Sequence, residues 1–179
     1  RVSKDLIIQE IEKELKRGEP FFVVRHDTVP AASIDKLRVK LRAAKTRYLV
    51  VKNTLVPAAL EECGKKHVKS VIINTAGFGE AGAEGRALEK KIVGIAAKAG
   101  VRIFGPNCQG IINSDPRFRA YCNFTFTRLQ RGTISVAAQS GGVGEVIIQR
   151  LNSLGAGFRM YASNGNAADI SIPEIMDYW

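Results

Sequence analysis

Short apolar runs alternate with segments of helical period along nearly the whole of this 179-residue chain, and that alternation leaves few folds open. Val71-Ile72-Ile73, Val101 to Phe104, Thr133 to Ala137 and Phe158 to Ala162 are rich in β-branched and aromatic residues and read as strands. Between them lie helical stretches. Pro57 suits the first turn of a helix running to about Lys66, and Leu88, Ile92, Ile95 and Ala99 mark a long helix ended by Gly100. Gly142 to Leu154 forms another, stopped by Gly155, and Ser171-Ile172-Pro173-Glu174 has the capping-box pattern that opens a last one.

The first fifty residues follow the same rule. Ser3 is placed to cap a helix carrying Ile7, Ile11 and Leu15, with Gly18 where it should stop. Phe21-Phe22-Val23-Val24 is a strand, Ser33 opens a helix with Ile34, Leu37, Leu41 and Ala44 on one face, and Tyr48-Leu49-Val50-Val51 is the next strand. Strands that alternate with helices of this length predict an α/β fold: a mostly parallel sheet with helices on both faces, three layers in all. In such sheets the ligand crevice opens beyond the carboxyl ends of the strands. Residues 105–131 show no clear period and are too long for an ordinary connection, so a functional or inter-domain role is expected of them.

Composition excludes several classes. The chain is 45% hydrophobic and 25% charged, an ordinary globular balance. No apolar run approaches the roughly 20 residues of a membrane-spanning helix, and no charged-then-apolar leader opens the chain. Three cysteines without C-x-x-C spacing argue against a disulfide framework or structural zinc and for a reducing, cytoplasmic setting. The start at Arg1 rather than Met suggests a processed or excerpted sequence. Of the net charge of +10, residues 1–54 carry +6. Such an excess attracts RNA or phosphorylated small molecules, and equally describes a solvated basic surface.

Three glycine-rich segments follow strands: Asn74 to Gly82, Gly105 to Gly110, and Gln139-Ser140-Gly141-Gly142-Val143-Gly144. The third lies directly between a strand and a helix. A helix N-terminus offers unpaired N–H groups and partial positive charge, and glycine lets an anion approach the backbone. Ser140 is placed both to cap this helix and to donate to a phosphate. The turn is not a Walker loop, since no Lys follows the glycines, nor a nucleophile elbow, since G-x-S-x-G is absent. A tight strand-to-helix turn with a serine cap explains the same residues, and turn-making explains the other two loops as well.

From about Val56 to Trp179 the chain resembles the nucleoside-diphosphate-forming acyl-CoA synthetases, the group that includes the succinyl-CoA synthetase α subunit. The resemblance rests on Val71-Ile72-Ile73 leading into Ala76-Gly77-Phe78, on Gly105-Pro106-Asn107-Cys108-Gln109-Gly110-Ile111-Ile112-Asn113, on Ala138-Gln139-Ser140-Gly141-Gly142, and on Ser163-Asn164-Gly165-Asn166-Ala167-Ala168-Asp169. It implies a Rossmann-type CoA-binding segment over residues 55–130 and the start of a flavodoxin-like ligase domain over residues 131–179. The implied ligand is coenzyme A or a nucleotide phosphate, held by Gly77, Phe78, Gly105, Pro106, Asn107, Gln139, Ser140, Gly141 and Gly142, with a phosphoryl group at the helix dipole. The departures are as informative. That family transfers phosphate through a histidine well downstream of the Q-S-G turn, and this chain has no histidine after His67. Its glycine-rich CoA loop lies near the start of the first domain, where residues 1–54 hold only Gly18. The ATP-grasp part is absent too, so no catalytic residue is assigned and the chain is expected to be catalytically incomplete alone.

Residues 1–54 resemble something else. Phe21 to Val24, the run Lys36 to Arg42, and above all Tyr48-Leu49-Val50-Val51-Lys52-Asn53-Thr54-Leu55 are similar to the start of large-subunit ribosomal protein ten, which binds ribosomal RNA through its N-terminal domain. The resemblance implies Lys52 and Asn53 as RNA contacts, with Lys36, Lys40 and Arg42 as phosphate partners; a solvated helix face accounts for the last three equally. The chain therefore reads as a hybrid in which residues 1–54 complete the first sheet. Three functions are open: a partial acyl-CoA-synthetase scaffold binding CoA, nucleotide or phosphate at most; a ribosomal-RNA-binding module; or a natural or engineered fusion with no function of its own.

Other candidates are weaker. His26 and His67 have no ligand-spaced partners, so no metal site is expected. Cys108 has no nearby base and reads as a buried, inert thiol. Glu80 and Glu84 suit either a ligand contact or a helix N-terminus. Phe118, Tyr121, Phe124 and Phe126 among Arg117, Arg119 and Arg128 suit inter-domain packing better than base stacking.

Overall fold

A computed structural model describes Gln9 and residues 52–118, 120–125 and 127–179. The helices and strands expected before residue 52 lie outside these residues, as do Lys36, Lys40 and Arg42. Among the described residues, a short 3-10 turn at Asn53–Leu55 leads into α1 (Val56–Lys65), followed by β1 (Ser70–Ile72), α2 (Ala83–Ala99) and β2 (Arg102–Phe104). Then come β3 (Gly110–Asn113), β4 (Ala120–Asn123), β5 (Arg131–Ala138), α3 (Gly141–Ser153), β6 (Phe158–Ser163) and α4 (Ile172–Tyr178). The fold is α/β.

The helices form where the apolar spacing demands. In α1, Val56, Leu60 and Cys63 fall on one buried stripe, and Pro57 occupies the first turn, where its missing N–H costs nothing. In α2 the buried positions are Gly85, Ile92 and Ala96. Gly100 ends that helix in the left-handed region at φ 69°. Its amide and that of Val101 donate to the carbonyls of Ala97 and Ala96, satisfying the last turn. Ser171 and Glu174 complete the capping box of α4.

β1 and β2 pair in parallel, Val71 opposite Ile103, and share a core with α1 and α2 built around Ile73, Phe78, Ile92 and Ile103. The second sheet has the order β4-β3-β6-β5. β5 and β6 run parallel, as expected, with register shifts near Ile134. β3 runs antiparallel to both β6 and β4. This antiparallel hairpin is a departure within the stretch 105–131 that showed no period. Its turn is made locally: Asn113 Oδ1 accepts from the Asp115 amide, and the Asp115 carboxylate accepts from the Arg117 amide and guanidinium. Phe118, Tyr121 and Phe124 are 64%, 54% and 48% exposed, with the Arg117 guanidinium over the Phe118 ring.

One ion-pair cluster ties the first sheet to α4. Asp169, on the loop after β6, accepts from the amide of Ile103 at 2.7 Å and pairs with Arg102 Nε at 3.0 Å, while Arg102 Nη2 reaches Glu174 at 2.9 Å.

Candidate functional site

The carboxyl ends of all four parallel-paired strands open on one cavity of about 520 Å³. Asn74 follows β1, the loop Asn107-Cys108-Gln109 follows β2, Gln139 to Gly142 follow β5, and Gly165 follows β6. This is the crevice position expected of an open α/β sheet. The loops are laced together by backbone bonds: Asn107 N–H to Thr75 O, Gly165 N–H to Gln139 O, Asn166 N–H to Pro106 O and Ala168 N–H to Gly105 O. Asn107 adopts φ 55°, and Gly165 is forced to be glycine, since at φ +57° a Cβ there would stand 2.2 Å from the Asn107 carbonyl oxygen. The backbones of the two loops therefore touch.

At the base of the cavity, Ser140 caps α3 in extended conformation, and its hydroxyl accepts from the Val143 amide at 3.4 Å. The Gly144 amide donates to the Ser140 carbonyl. Among the described residues, no group accepts from the amides of Gly141 or Gly142, and both residues line the cavity. Two backbone donors and the positive end of a 13-residue helix thus face it. No Lys, Arg or His is among the lining residues, so the donors are neutral. Gln139 donates from Nε2 to the Gly165 carbonyl at 2.8 Å and so fastens the turn to the β6 loop.

Opposite this turn, Tyr161 donates its hydroxyl to Gln109 Oε1 at 2.7 Å. Burial, with the Glu145 carboxylate nearby as a lesser cause, pushes the Tyr161 phenol up to about 12, so it remains a donor at neutral pH. Glu145 is buried on α3, lines the cavity, and accepts from the Thr127 amide at 2.9 Å. Cys108 is buried, its thiol pushed up to about 12 by loss of solvent, which fits the inert thiol expected.

The residues marked in the sequence divide. Asn107, Gln139, Ser140, Gly141 and Gly142 converge on the cavity. Gly105 and Pro106, joined by a cis peptide bond, support it through their carbonyls. Gly77 and Phe78 do not line it: Phe78 is wholly buried in the first core, and the amides of Gly77 and Phe78 are taken by the Glu80 carboxylate. Burial opposes the charge of Glu80, yet hydrogen bonds from Asn166 and from these amides outweigh it and hold its carboxyl below the ordinary value. Asn166 also donates to Glu89 at 2.7 Å and accepts from Asn107. Glu80 therefore serves its own loop. Asn53 likewise spends its side chain inward, donating to the Ala76 carbonyl and accepting from Thr75, while Lys52 is exposed. Asn74, Gln109, Phe124, Glu145 and Gly165 line the cavity as well; of these, Asn74, Gln109 and Gly165 fall inside the segments Asn74–Gly82, Gly105–Gly110 and Ser163–Asp169, while Phe124 and Glu145 lie outside them, with no motif to mark them.

Residues 1–99 match the family described as Ribosomal protein L10. The chain belongs to that family over these residues. Residues 131–179 match the succinyl-CoA ligase like flavodoxin domain. The acetate–CoA ligase [ADP-forming] II subunit alpha of Pyrococcus furiosus is 44% identical over 131 residues, covering 73% of this chain and 28% of that subunit. A crystal structure from Pyrococcus horikoshii OT3 aligns with TM-score 0.66 and 42% identity over 73% of this chain and 29% of its own. The dinucleotide forming acetyl-coenzyme A synthetase 1 of Ca. Korarchaeum cryptofilum, solved with phosphate and ADP, aligns with TM-score 0.64 and 28% identity over 72% and 27%. The chain thus spans little more than a quarter of these relatives. The ribosomal and ligase matches together exceed the chain's length, so they share residues. The described part of the ribosomal match, α1-β1-α2, is the helix–strand–helix unit that any parallel α/β sheet can use.

Proposed function

We propose that this chain is a partial acyl-CoA-synthetase scaffold that binds a phosphoryl group, free or as the end of a nucleotide or coenzyme A, and completes no turnover by itself. In this reading residues 1–54 are the ribosomal-type segment that finishes the first sheet, 55–130 the CoA-binding-type segment and 131–179 the opening of the ligase domain. The observation that carries it is the pair of unclaimed amides at Gly141 and Gly142, at the head of α3 and on the wall of the cavity. A helix terminus with free N–H groups favours an oxyanion through both hydrogen bonds and dipole. The relative solved with phosphate and ADP supports the ligand class.

The donor set fits the oxygens of one phosphoryl group: the cavity wall carries no cation to neutralise a polyphosphate, and the Glu145 carboxylate lies on it as well. When bound, the group would supply the acceptor oxygens. The residues' part is to orient it: Ser140 holds the first turn of α3 in shape, and Gln139 pins that turn to Gly165. Calorimetric titration with inorganic phosphate, ADP and coenzyme A tests the reading. Binding of at least one, weakened by Gly141→Val, is expected; no heat with any of the three overturns it.

The ribosomal match and the charge of +6 over residues 1–54 favour a second reading, a ribosomal-RNA-binding module acting through Lys36, Lys40, Arg42 and Lys52. It requires RNA affinity that falls steeply with salt and is lost on neutralising Lys36, Lys40 and Lys52. RNA binding indifferent to ionic strength excludes it. Asn53 is a poor RNA contact here, since its amide is engaged with Thr75 and Ala76.

A further inference from the structure

Gln109 is only 6% exposed, yet it lines the cavity, and its two amide atoms have different fates. Oε1 accepts from the Tyr161 hydroxyl at 2.7 Å. Among the described residues, nothing accepts from Nε2. A primary amide whose oxygen is committed to a buried phenol has its nitrogen turned the other way, and here that is the free end of a cavity-lining side chain. The side chain also lies against the head of α3: a Cβ built on Gly141 would stand 2.8 Å from Gln109 Cγ, 3.0 Å from Cδ and 3.4 Å from Oε1. The glutamine amide group therefore packs against the residue that carries one of the two free amides.

We propose that Gln109 is the third donor of the oxyanion site, held in its donating orientation by Tyr161 as a positioning residue. This rests on the phosphoryl-binding reading above and adds to it the residue that completes the donor set. Two backbone amides fix one edge of a tetrahedral anion; a third donor from the loop after β2 fixes its rotation. The tyrosine suits the task because its phenol, raised by burial, keeps the proton that it donates to Oε1. Gly141 must lack a side chain for the same reason, since any Cβ would push the glutamine away.

The test uses the whole chain and inorganic phosphate. In ¹H–¹⁵N spectra, the side-chain NH₂ signals of Gln109, identified by their loss in Gln109→Met, should shift together with the Gly141 and Gly142 amides as phosphate is added. Gln109→Met is expected to weaken phosphate binding about tenfold, the scale of one hydrogen bond to a charged acceptor. Gln109→Glu keeps an oxygen for Tyr161 but replaces the donor by a negative acceptor, and should weaken binding further. Tyr161→Phe should weaken it by less than Gln109→Met and reduce the phosphate-induced shift of the Gln109 signals, an effect a purely structural tyrosine would not have. If the glycine amides shift while Gln109 does not, or if Gln109→Met binds as tightly as the unaltered chain, this inference falls and the two-amide site stands. If phosphate moves none of these signals, both fall. Where Gln109→Met does not fold, Gln109→Glu supplies the assignment and the unaltered chain decides.

Discussion

The hydroxyl of Tyr161 lies 1.9 Å from the place a Cβ on Gly144 would occupy. Gly144 is in the second turn's approach on α3, and the absence of its side chain lets the buried phenol pass beneath the helix to reach Gln109. The first expectation follows. Gly144→Ala should lower stability by about 1–3 kcal/mol, the usual cost of overpacking, although alanine is the better helix former. Chemical denaturation measures it, and Gly144→Ala combined with Tyr161→Phe should recover part of the loss. A Gly144→Ala chain as stable as the original would show that the contact yields freely.

A second expectation concerns the tie between β2 and the loop after β6. Asp169→Ala leaves the amide of Ile103 without its acceptor next to a residue that is fully buried. An unsatisfied buried amide costs about 1–3 kcal/mol. Glu174→Ala removes a half-exposed partner of Arg102 and should cost less than Asp169→Ala. Thermal melts of the two variants give the order.

Acid should act through the same cluster. The amide of Ser171, the Arg102 guanidinium and the Ser171 hydroxyl hold the Glu174 carboxyl down to about 2 from an ordinary 4.5. A carboxyl depressed by folding adds stability that is present above the ordinary value and lost as pH falls through the folded one. Glu80 is depressed in the same direction. Stability should therefore decline between about pH 4.5 and pH 2, and Glu174→Gln should flatten that decline. Denaturation midpoints across the range check it.

The three thiols should separate by reactivity. Cys63 and Cys108 are buried, with thiols pushed up to about 11 and about 12 respectively, chiefly by burial. Cys122, on β4, is half-buried. Iodoacetamide near pH 8 should modify Cys122 first and reach the other two only when the chain is denatured, as peptide mapping would show. Early labelling of Cys108 would mean that the cavity loop opens readily.

Much of the architecture was legible because it rests on local rules. The stops at Gly100 and Gly155, the capping box at Ser171 and Glu174, and the serine cap at Ser140 each involve residues close along the chain, so a short window of sequence contains the whole interaction. The hairpin of β3 and β4 escaped because its strands are only four residues long and Ile111-Ile112 gives no alternation to count. The turn cluster Asn113-Ser114-Asp115-Pro116 was the available signal. Gly77 and Phe78 were ligand residues by family resemblance alone, and no local pattern shows that their amides meet the Glu80 carboxylate instead.

By itself, the sequence determined, among the described residues, the order of the helices and of the four parallel-paired strands, the position of the Q-S-G turn at a helix head, and the likeness to two families. The tertiary structure decided which loops meet: Gln109 with Tyr161, Gly144 beneath the same ring, Gly165 against Asn107, and Glu80 over the amides of Gly77 and Phe78. The reason is distance along the chain. Periodicity and capping are fixed by neighbours within a turn or two, whereas the polarity of a buried amide depends on a partner 52 residues away, which only packing brings into reach.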